Sequence, residues 1–93
     1  MSYNIIASSY FIKSSKKYIS KQKITSDDLK LTLEEMKENP YSSILKTHKL
    51  KGKLSGSYAC SINYSIRIVF SFCQYQGHDA ILLESIGTND EVY

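Results

Sequence analysis

Two strand-like runs near the middle of the chain constrain its fold more than any other feature. From Tyr58 to Tyr64, larger side chains alternate with small or polar ones, and from Ile66 to Phe72 apolar residues recur at every second position. A period of two places one set of side chains on one face of a sheet, which indicates neighbouring antiparallel strands with one buried face. A third apolar run, Ala80 to Ile86, predicts another strand, which Gly87 ends before the tail TNDEVY.

The first forty residues predict a short strand and two helices. Tyr3 to Ala7 is a brief β-prone run, and a serine cap precedes a helix expected from about Tyr10 to Ser20. Thr25 begins a capping-box pattern, and Pro40 ends the second helix because proline cannot continue the hydrogen-bond ladder. The predicted order is β-α-α-β-β-β, an α+β fold in which a helical hairpin packs on a small, mainly antiparallel, twisted sheet. Residues 1–93 are predicted to form a single domain.

The charged residues are sorted into blocks along the sequence. Residues 1–26 carry five lysines and no acidic residue, and residues 39–78 carry four lysines and the single arginine, Arg67, again without an acidic residue. The acidic residues are gathered in segments 27–38 and 79–93. Two basic blocks without acidic residues predict a polyanion or an acidic protein as the partner. For the first block alone, a solvated helix face is an equal alternative.

Composition and residue spacing argue against several other kinds of protein. With 42% hydrophobic and 23% charged residues, the chain resembles a globular protein rather than a disordered one. Its apolar runs fall short of the roughly 20 residues of a membrane span, and its N-terminus lacks a secretory signal pattern, so a cytoplasmic protein without membrane association is expected. Cys60 and Cys73 are expected to be reduced. Their spacing with His48 and His78 has no metal-binding pattern, so neither a metal nor another cofactor is predicted.

Arg67 is the first candidate for chemistry. Its neighbours Ile66 and Ile68 belong to the apolar set, so Arg67 must project from the opposite face of the strand. A charge at mid-strand among apolar residues is costly to bury unless it is paired. A salt bridge to Glu84 on the neighbouring strand is the structural interpretation. The functional interpretation is that the guanidinium binds a phosphate bidentately and stabilises the negative charge that develops during RNA cleavage.

His48, in a basic loop, is the second candidate, because neighbouring lysines favour a neutral ring that can accept a proton. RNA cleavage without a metal needs a base for the 2′-hydroxyl, a cation for the phosphate and an acid for the leaving oxygen. An exposed loop histidine without a role is the alternative. The lysines that alternate with Leu50, Gly52 and Leu54 would lie on one side of an extended segment, as a track for phosphates or a contact for an acidic protein. The predicted RNA-binding lysines are Lys46, Lys49, Lys51 and Lys53.

Three segments of the chain resemble the RelE/ParE superfamily of bacterial toxins, in particular its RelE/StbE and YafQ-like mRNA interferases. They are LKTHKLKGKLSGSY, INYSIRIVFSF and ILLESIGTNDEVY, and the resemblance covers nearly the whole chain, including the β-α-α-β-β-β order. The resemblance implies a RelE-like fold and the toxin of a type II toxin–antitoxin pair, which cuts mRNA on the ribosome and is neutralised by an acidic antitoxin. It also implies His48 as the base, Arg67 as the phosphate ligand, and the terminal aromatic Tyr93 as a residue that contacts a base or assists proton transfer.

The chain departs from the YafQ-like pattern at three positions. Ser61 replaces a histidine, Ser65 an aspartate, and Asn89 the histidine of the usual tail GTHDEVY. Asn89 can donate a hydrogen bond but cannot deliver a proton at neutral pH. We therefore expect a slower nuclease, or one whose chemistry depends on Arg67 and the lysines, with Asn89 as a catalytic residue and Ser61 as an RNA-binding one. The alternative is a non-catalytic binding protein. A ParE-like gyrase inhibitor is disfavoured by His48, whereas Ser61 and Asn89 favour a decayed toxin that binds only its antitoxin. The sequence makes no prediction of the oligomeric state.

Overall fold

The computed structural model describes residues 2–92, except for the side chains of residues 91 and 92, and shows two long helices and a five-stranded sheet. The strand order is β1-β5-β4-β3-β2, with β1 parallel to β5 and all other neighbouring strands antiparallel. The predicted α+β fold is therefore confirmed. The elements are β1 (Asn4–Ala7), α1 (Ser9–Ser20), α2 (Ser26–Glu38), β2 (His48–Lys49), a short 3-10 helix (Gly52–Leu54), β3 (Tyr58–Ser61), β4 (Ile66–Tyr75), β5 (His78–Thr88) and α3 (Asn89–Val92).

Both long helices begin at the caps that the sequence predicts. The Ser8 hydroxyl accepts a hydrogen bond from the Phe11 amide at 3.0 Å. Thr25 and Asp28 form a reciprocal capping box, in which the Asp28 amide donates to Thr25 Oγ1 at 2.9 Å and the Thr25 amide donates to Asp28 Oδ2 at 3.4 Å. Such caps satisfy backbone groups that the helix itself leaves unpaired, and each stabilises a helix by about 1 kcal/mol.

The two helices cover one face of the sheet and build the main core there. Ile66, Ile68 and Phe70 of β4 are at most 1% exposed, and they pack with Phe11 of α1 and Met36 of α2. The apolar alternation in β4 therefore faces the helices, as predicted. Consequently the residue between Ile66 and Ile68 projects from the other face, which we call the open face.

A smaller apolar cluster lies on the open face. Ala59 of β3 and Val69 of β4 are buried there beneath Leu50 and Leu54, which belong to the loop between β2 and β3. A bulge in β5 lies beside this cluster: Val69 pairs with Ser85 and Phe70 with Leu83, so Glu84 is left without a partner in the ladder. Val69 and Phe70 are buried on opposite faces because successive strand residues point to opposite sides of the sheet.

The structure corrects three details of the sequence-based assignment. The segment predicted as a loop contains the two-residue strand His48–Lys49, which pairs with Tyr58 and Ala59. The strand predicted from Tyr58 to Tyr64 ends at Ser61. The last strand runs through Gly87 to Thr88 instead of ending at the glycine, because pairing with β4 continues to the end of both strands and outweighs the weak strand preference of glycine.

No helix within residues 2–92 is long and apolar enough to cross a membrane.

The two cysteines are expected to differ sharply in reactivity. Cys60 is fully buried on β3, where burial raises the pKa of its thiol to about 12, whereas Cys73 on β4 is half-buried. Since the thiolate is the reactive species, a disulfide-exchange reagent at pH 8 should modify one thiol per native chain and two after unfolding in guanidinium. Cys73→Ser should remove the native signal. Fast modification of both thiols in the native protein would contradict this environment for Cys60.

Candidate functional site

Arg67 is the second residue of β4 and lies on the open face. In the sheet register it is opposite Ser61 of β3 and Gly87 of β5. Cross-strand partners point to the same side, so Ser61 lies on the open face beside Arg67, while Gly87 places no side chain there. Arg67 is half-buried, which leaves part of its guanidinium accessible from this face.

The hydrogen bonds of Arg67 hold the guanidinium against the turn between β3 and β4. Its Nη1 donates to the Asn63 carbonyl at 2.7 Å and, at a longer 3.4 Å, to the Ile66 carbonyl. Among the described residues Arg67 forms no ion pair, and Glu84 Oε1 accepts a hydrogen bond from the Ser57 hydroxyl at 2.8 Å instead. The salt bridge between Arg67 and Glu84 considered from the sequence is therefore not formed. Both hydrogen bonds of Arg67 are donated by Nη1, so its Nη2 and Nε hydrogens can still donate side by side to two oxygens of a phosphate.

His48 belongs to the edge strand β2 and is exposed. It pairs with Ala59, which pairs in turn with Val69, so all three residues lie on the open face that carries Arg67. His48 Nδ1 lies 3.2 Å from the Lys46 carbonyl oxygen. Because a carbonyl can only accept, this bond favours the tautomer with the proton on Nδ1, which places the basic lone pair on Nε2.

His48 and Arg67 lie two strands apart, at about 4.8 Å per strand, and are offset by two residues along the strand, at about 3.3 Å per residue. Their Cα atoms are therefore about 12 Å apart. Both side chains are long enough to approach a ligand that lies between them. Ser61, on the intervening strand, lies on the same face with a hydroxyl that can donate or accept a hydrogen bond. The sheet thus brings together three residues that the sequence singled out: His48, Ser61 and Arg67.

The four lysines of the basic loop are all exposed, but the three predicted to form a row, Lys49, Lys51 and Lys53, do not form one. Strand alternation points Lys49 to the face of its partner Tyr58, away from His48. Gly52 has a φ of +69° and begins a 3-10 helix, so Lys53 leaves the extended course that the prediction required. The prediction of one straight lysine track is therefore wrong. Lys46, whose φ is +53°, adopts a left-handed conformation that directs its carbonyl oxygen to the His48 ring.

Of the two tail residues predicted to act in the site, the structure describes Asn89 but not Tyr93. Asn89 is exposed and begins α3 directly after Thr88, which pairs with Ile66 beside Arg67. Asn89 is therefore at the Arg67 end of the sheet. Tyr93 lies outside the described residues. His78, at the start of β5, is nine residues from the partner of Arg67 and hence about 30 Å away along the strand, so it takes no part in this site.

Sequence reasoning missed Asn63, which organises the turn next to the site. Its side-chain oxygen accepts hydrogen bonds from the Ser65 amide at 2.9 Å and the Ile66 amide at 2.8 Å, while its carbonyl oxygen holds Arg67. The signal was present, because an asparagine between two strand-like runs often closes a turn through its own side chain.

No protein-family model and no curated protein sequence matches this chain. Its fold, however, matches several solved toxin structures. YafQ from E. coli strain BL21(DE3) has a TM-score of 0.78 at 18% identity, and the match covers 98% of each chain. The E. coli DinJ–YafQ toxin–antitoxin complex gives 0.75 at 17% identity over 100% of this chain and 99% of that one. YoeB from Staphylococcus aureus gives 0.71 at 23% identity over 96% and 99%. The chain therefore has the RelE/YafQ-like toxin fold, as its resemblance predicts.

Proposed function

We propose that this chain, which has the RelE/YafQ-like toxin fold, is the toxin of a type II toxin–antitoxin pair and an endoribonuclease that cuts mRNA on the ribosome. One observation carries this proposal: His48 and Arg67 lie on the same face of the sheet, the face that the helices leave open, with Ser61 between them. The fold likeness to YafQ and YoeB supports it.

In the proposed reaction His48 acts as the general base. Its Nε2 takes the proton of a ribose 2′-hydroxyl, the 2′-oxygen bonds to the adjacent phosphorus, and the bond from phosphorus to the 5′-oxygen breaks. The products are a 2′,3′-cyclic phosphate and a 5′-hydroxyl. Arg67 binds the non-bridging oxygens and stabilises the negative charge that they gain in the transition state. Asn89 donates a hydrogen bond to the leaving 5′-oxygen, which takes its proton from water.

The lysines near His48 indicate which partners this site would bind. The exposed lysines Lys46, Lys49, Lys51 and Lys53 all lie within five residues of His48 in the sequence and attract a polyanion, which suits RNA on a ribosome. YafQ forms a complex with DinJ, and we infer a corresponding acidic antitoxin for this chain, which acts in the cytoplasm. An acidic segment laid over the loop would neutralise the same lysines.

A decayed toxin that only binds its antitoxin is the second candidate. The observation that favours it is the presence of Ser61 and Asn89 at positions where the resemblance implies histidines. Neither side chain can act as an acid or base at neutral pH. In that case the fold and the basic loop would serve binding alone.

Induced expression in a bacterial host, with primer extension on abundant mRNAs, separates these functions. A nuclease produces growth arrest and discrete new 5′ ends inside translated regions, both lost in Arg67→Ala. Arrest with intact mRNA would indicate another target, such as DNA gyrase. Normal growth in the presence of folded protein would support the decayed toxin and contradict the proposal.

Asn89→His is expected to accelerate cleavage by about tenfold to a hundredfold at neutral pH. A histidine at this end of the sheet can deliver a proton to the leaving oxygen, and general acid catalysis contributes roughly 10²–10⁴-fold when the geometry is good. Single-turnover cleavage of a labelled RNA measures the change, with Asn89→Gln as the matched variant that cannot deliver a proton. An unchanged rate for Asn89→His would place residue 89 away from the leaving oxygen.

A further inference from the structure

We propose that Tyr64, together with Lys23, forms a subsite that stacks one base of single-stranded RNA beside the phosphate bound by Arg67. This inference rests on the proposed function and assigns a further nucleotide contact to the same site. It concerns Tyr64 at the tip of the turn between β3 and β4, which takes no part in the proposed chemistry.

Tyr64 is unusually exposed for an aromatic residue. Its side chain is 95% exposed, and the next most exposed large apolar residue among those described is Ile44 at 73%. A single exposed aromatic residue is not in itself a binding site. Tyr64 differs from an ordinary exposed aromatic residue in the rigidity of its turn and in the residues that this turn contacts.

The turn that carries Tyr64 is fixed by its neighbour Asn63. Besides the two backbone amides that donate to the Asn63 side-chain oxygen, the Ile62 amide donates to the Ile66 carbonyl at 3.0 Å and closes the turn. Tyr64 thus projects from a fixed backbone and has only two side-chain torsions to order. A rigid aromatic platform of this kind loses little conformational entropy when a ligand binds.

The same turn contacts the proposed phosphate ligand. Arg67 Nη1 donates to the Asn63 carbonyl at 2.7 Å, and the Cα of Tyr64 is only about 3.8 Å from that of Asn63. A phosphate on the guanidinium and a base on the Tyr64 ring would therefore belong to the same nucleotide or to adjacent ones. Neighbouring phosphate and stacking contacts are how proteins bind single strands.

Lys23 reaches this turn from the connection between α1 and α2. Asn63 Nδ2 donates to the Lys23 carbonyl at 3.1 Å, which places the backbone of the exposed Lys23 beside Asn63, the residue before Tyr64 in the chain. The two segments joined here, residues 1–26 and 39–78, contain no acidic residue. The first basic block of the sequence therefore meets the Arg67 end of the sheet, where its lysines can pair with a flanking phosphate.

An RNA base explains this combination better than an acidic peptide does. Acidic side chains would pair with the lysines but would gain little from an aromatic ring that is almost fully exposed. A nucleotide of RNA can use both features, because its phosphate pairs with a lysine and its base has a π-face that stacks on tyrosine. The subsite is therefore assigned to RNA.

The test uses a 2′-O-methyl hexanucleotide, which cannot be cleaved, with 2-aminopurine at one position in turn. Affinity is measured by fluorescence anisotropy, and stacking by quenching of 2-aminopurine. Tyr64→Ala should weaken binding by about tenfold and abolish quenching at one position, while Tyr64→Phe should retain both. Tyr75, the last residue of β4 at the end opposite to Arg67, is also exposed and provides the matched control, and Tyr75→Ala should bind as the wild type does.

Lys23→Ala should weaken binding by a few-fold and reduce its salt dependence, whereas Lys37→Ala, on exposed α2 surface, should not. If Arg67→Ala weakens binding but Tyr64→Ala changes neither affinity nor quenching, the subsite is wrong and the proposed function stands. If neither the wild type nor any variant binds the RNA, the subsite is overturned, while the proposed function, in which the ribosome presents the mRNA, is decided by the primer-extension experiment. Circular dichroism and thermal unfolding of each variant verify that the fold is retained.

Discussion

Arg67→Ala is expected to reduce RNA cleavage by about 10²–10³-fold and to abolish growth arrest, while the protein remains folded. Arg67 projects from the open face and, within the described part of the chain, bonds only to the carbonyls of Asn63 and Ile66. Losing a hydrogen bond that a charged side chain donates costs about 1.5–3 kcal/mol of unfolding free energy, against about 5–15 kcal/mol in total for a typical native protein. The loss of cleavage would therefore come from the missing phosphate ligand rather than from unfolding.

Arg67→Lys is the matched variant for this prediction. Lysine keeps the positive charge but lacks the planar fork that binds two phosphate oxygens at once, so cleavage should fall to an intermediate level. Single-turnover rates and thermal unfolding curves, recorded on the same preparations, separate chemistry from stability. Undiminished toxicity of Arg67→Ala would show that this residue does not hold the scissile phosphate.

His48→Ala is expected to lower the cleavage rate by about 10²–10⁴-fold, which is the range that a general base contributes. His48 is exposed on a two-residue edge strand, so its truncation should leave the unfolding free energy almost unchanged. RNA affinity should also stay close to that of the wild type, because the proposed role is to take a proton rather than to bind.

His78→Ala is the matched histidine control, because His78 is equally exposed but lies about 30 Å from Arg67 along β5. Its rate should equal that of the wild type. Lys49→Ala, which removes a charge pointing to the other face, tests whether nearby charge alone explains the effect. Equal losses in His48→Ala and Lys49→Ala would argue against a base at residue 48.

Much of the fold follows from local signals in the sequence. The capping box at Thr25 and the proline at residue 40 set the bounds of α2, since both act within one helical turn. The alternation from Ile66 to Phe70 identified the buried face of β4, and Arg67 lies on the other face for the same reason. These features depend on neighbours close in the chain, so the sequence alone reveals them.

The features that the sequence did not reveal depend on pairing between distant segments. β5 continues through Gly87 because β4 extends alongside it, and His48 joins the sheet because β3 offers a free edge. The predicted row of lysines is not formed because Gly52, with its left-handed backbone, begins a 3-10 helix. The contact between Asn63 and Lys23 joins residues that are 40 positions apart in the sequence. Only the three-dimensional structure shows such contacts.

The most direct test of a base at His48 and a phosphate ligand at Arg67 is the chemistry of the cut ends. Purified protein is added to ribosomes translating a labelled mRNA, the cleaved position is mapped, and the ribose there is replaced by 2′-deoxyribose. We expect the wild type to produce fragments with 5′-hydroxyl and 2′,3′-cyclic phosphate ends. The amount of these fragments should be strongly reduced with His48→Ala and Arg67→Ala. None should form from the 2′-deoxy mRNA at the mapped position. Cleavage that continues at the 2′-deoxy position, or fragments with 5′-phosphate ends, would contradict this mechanism.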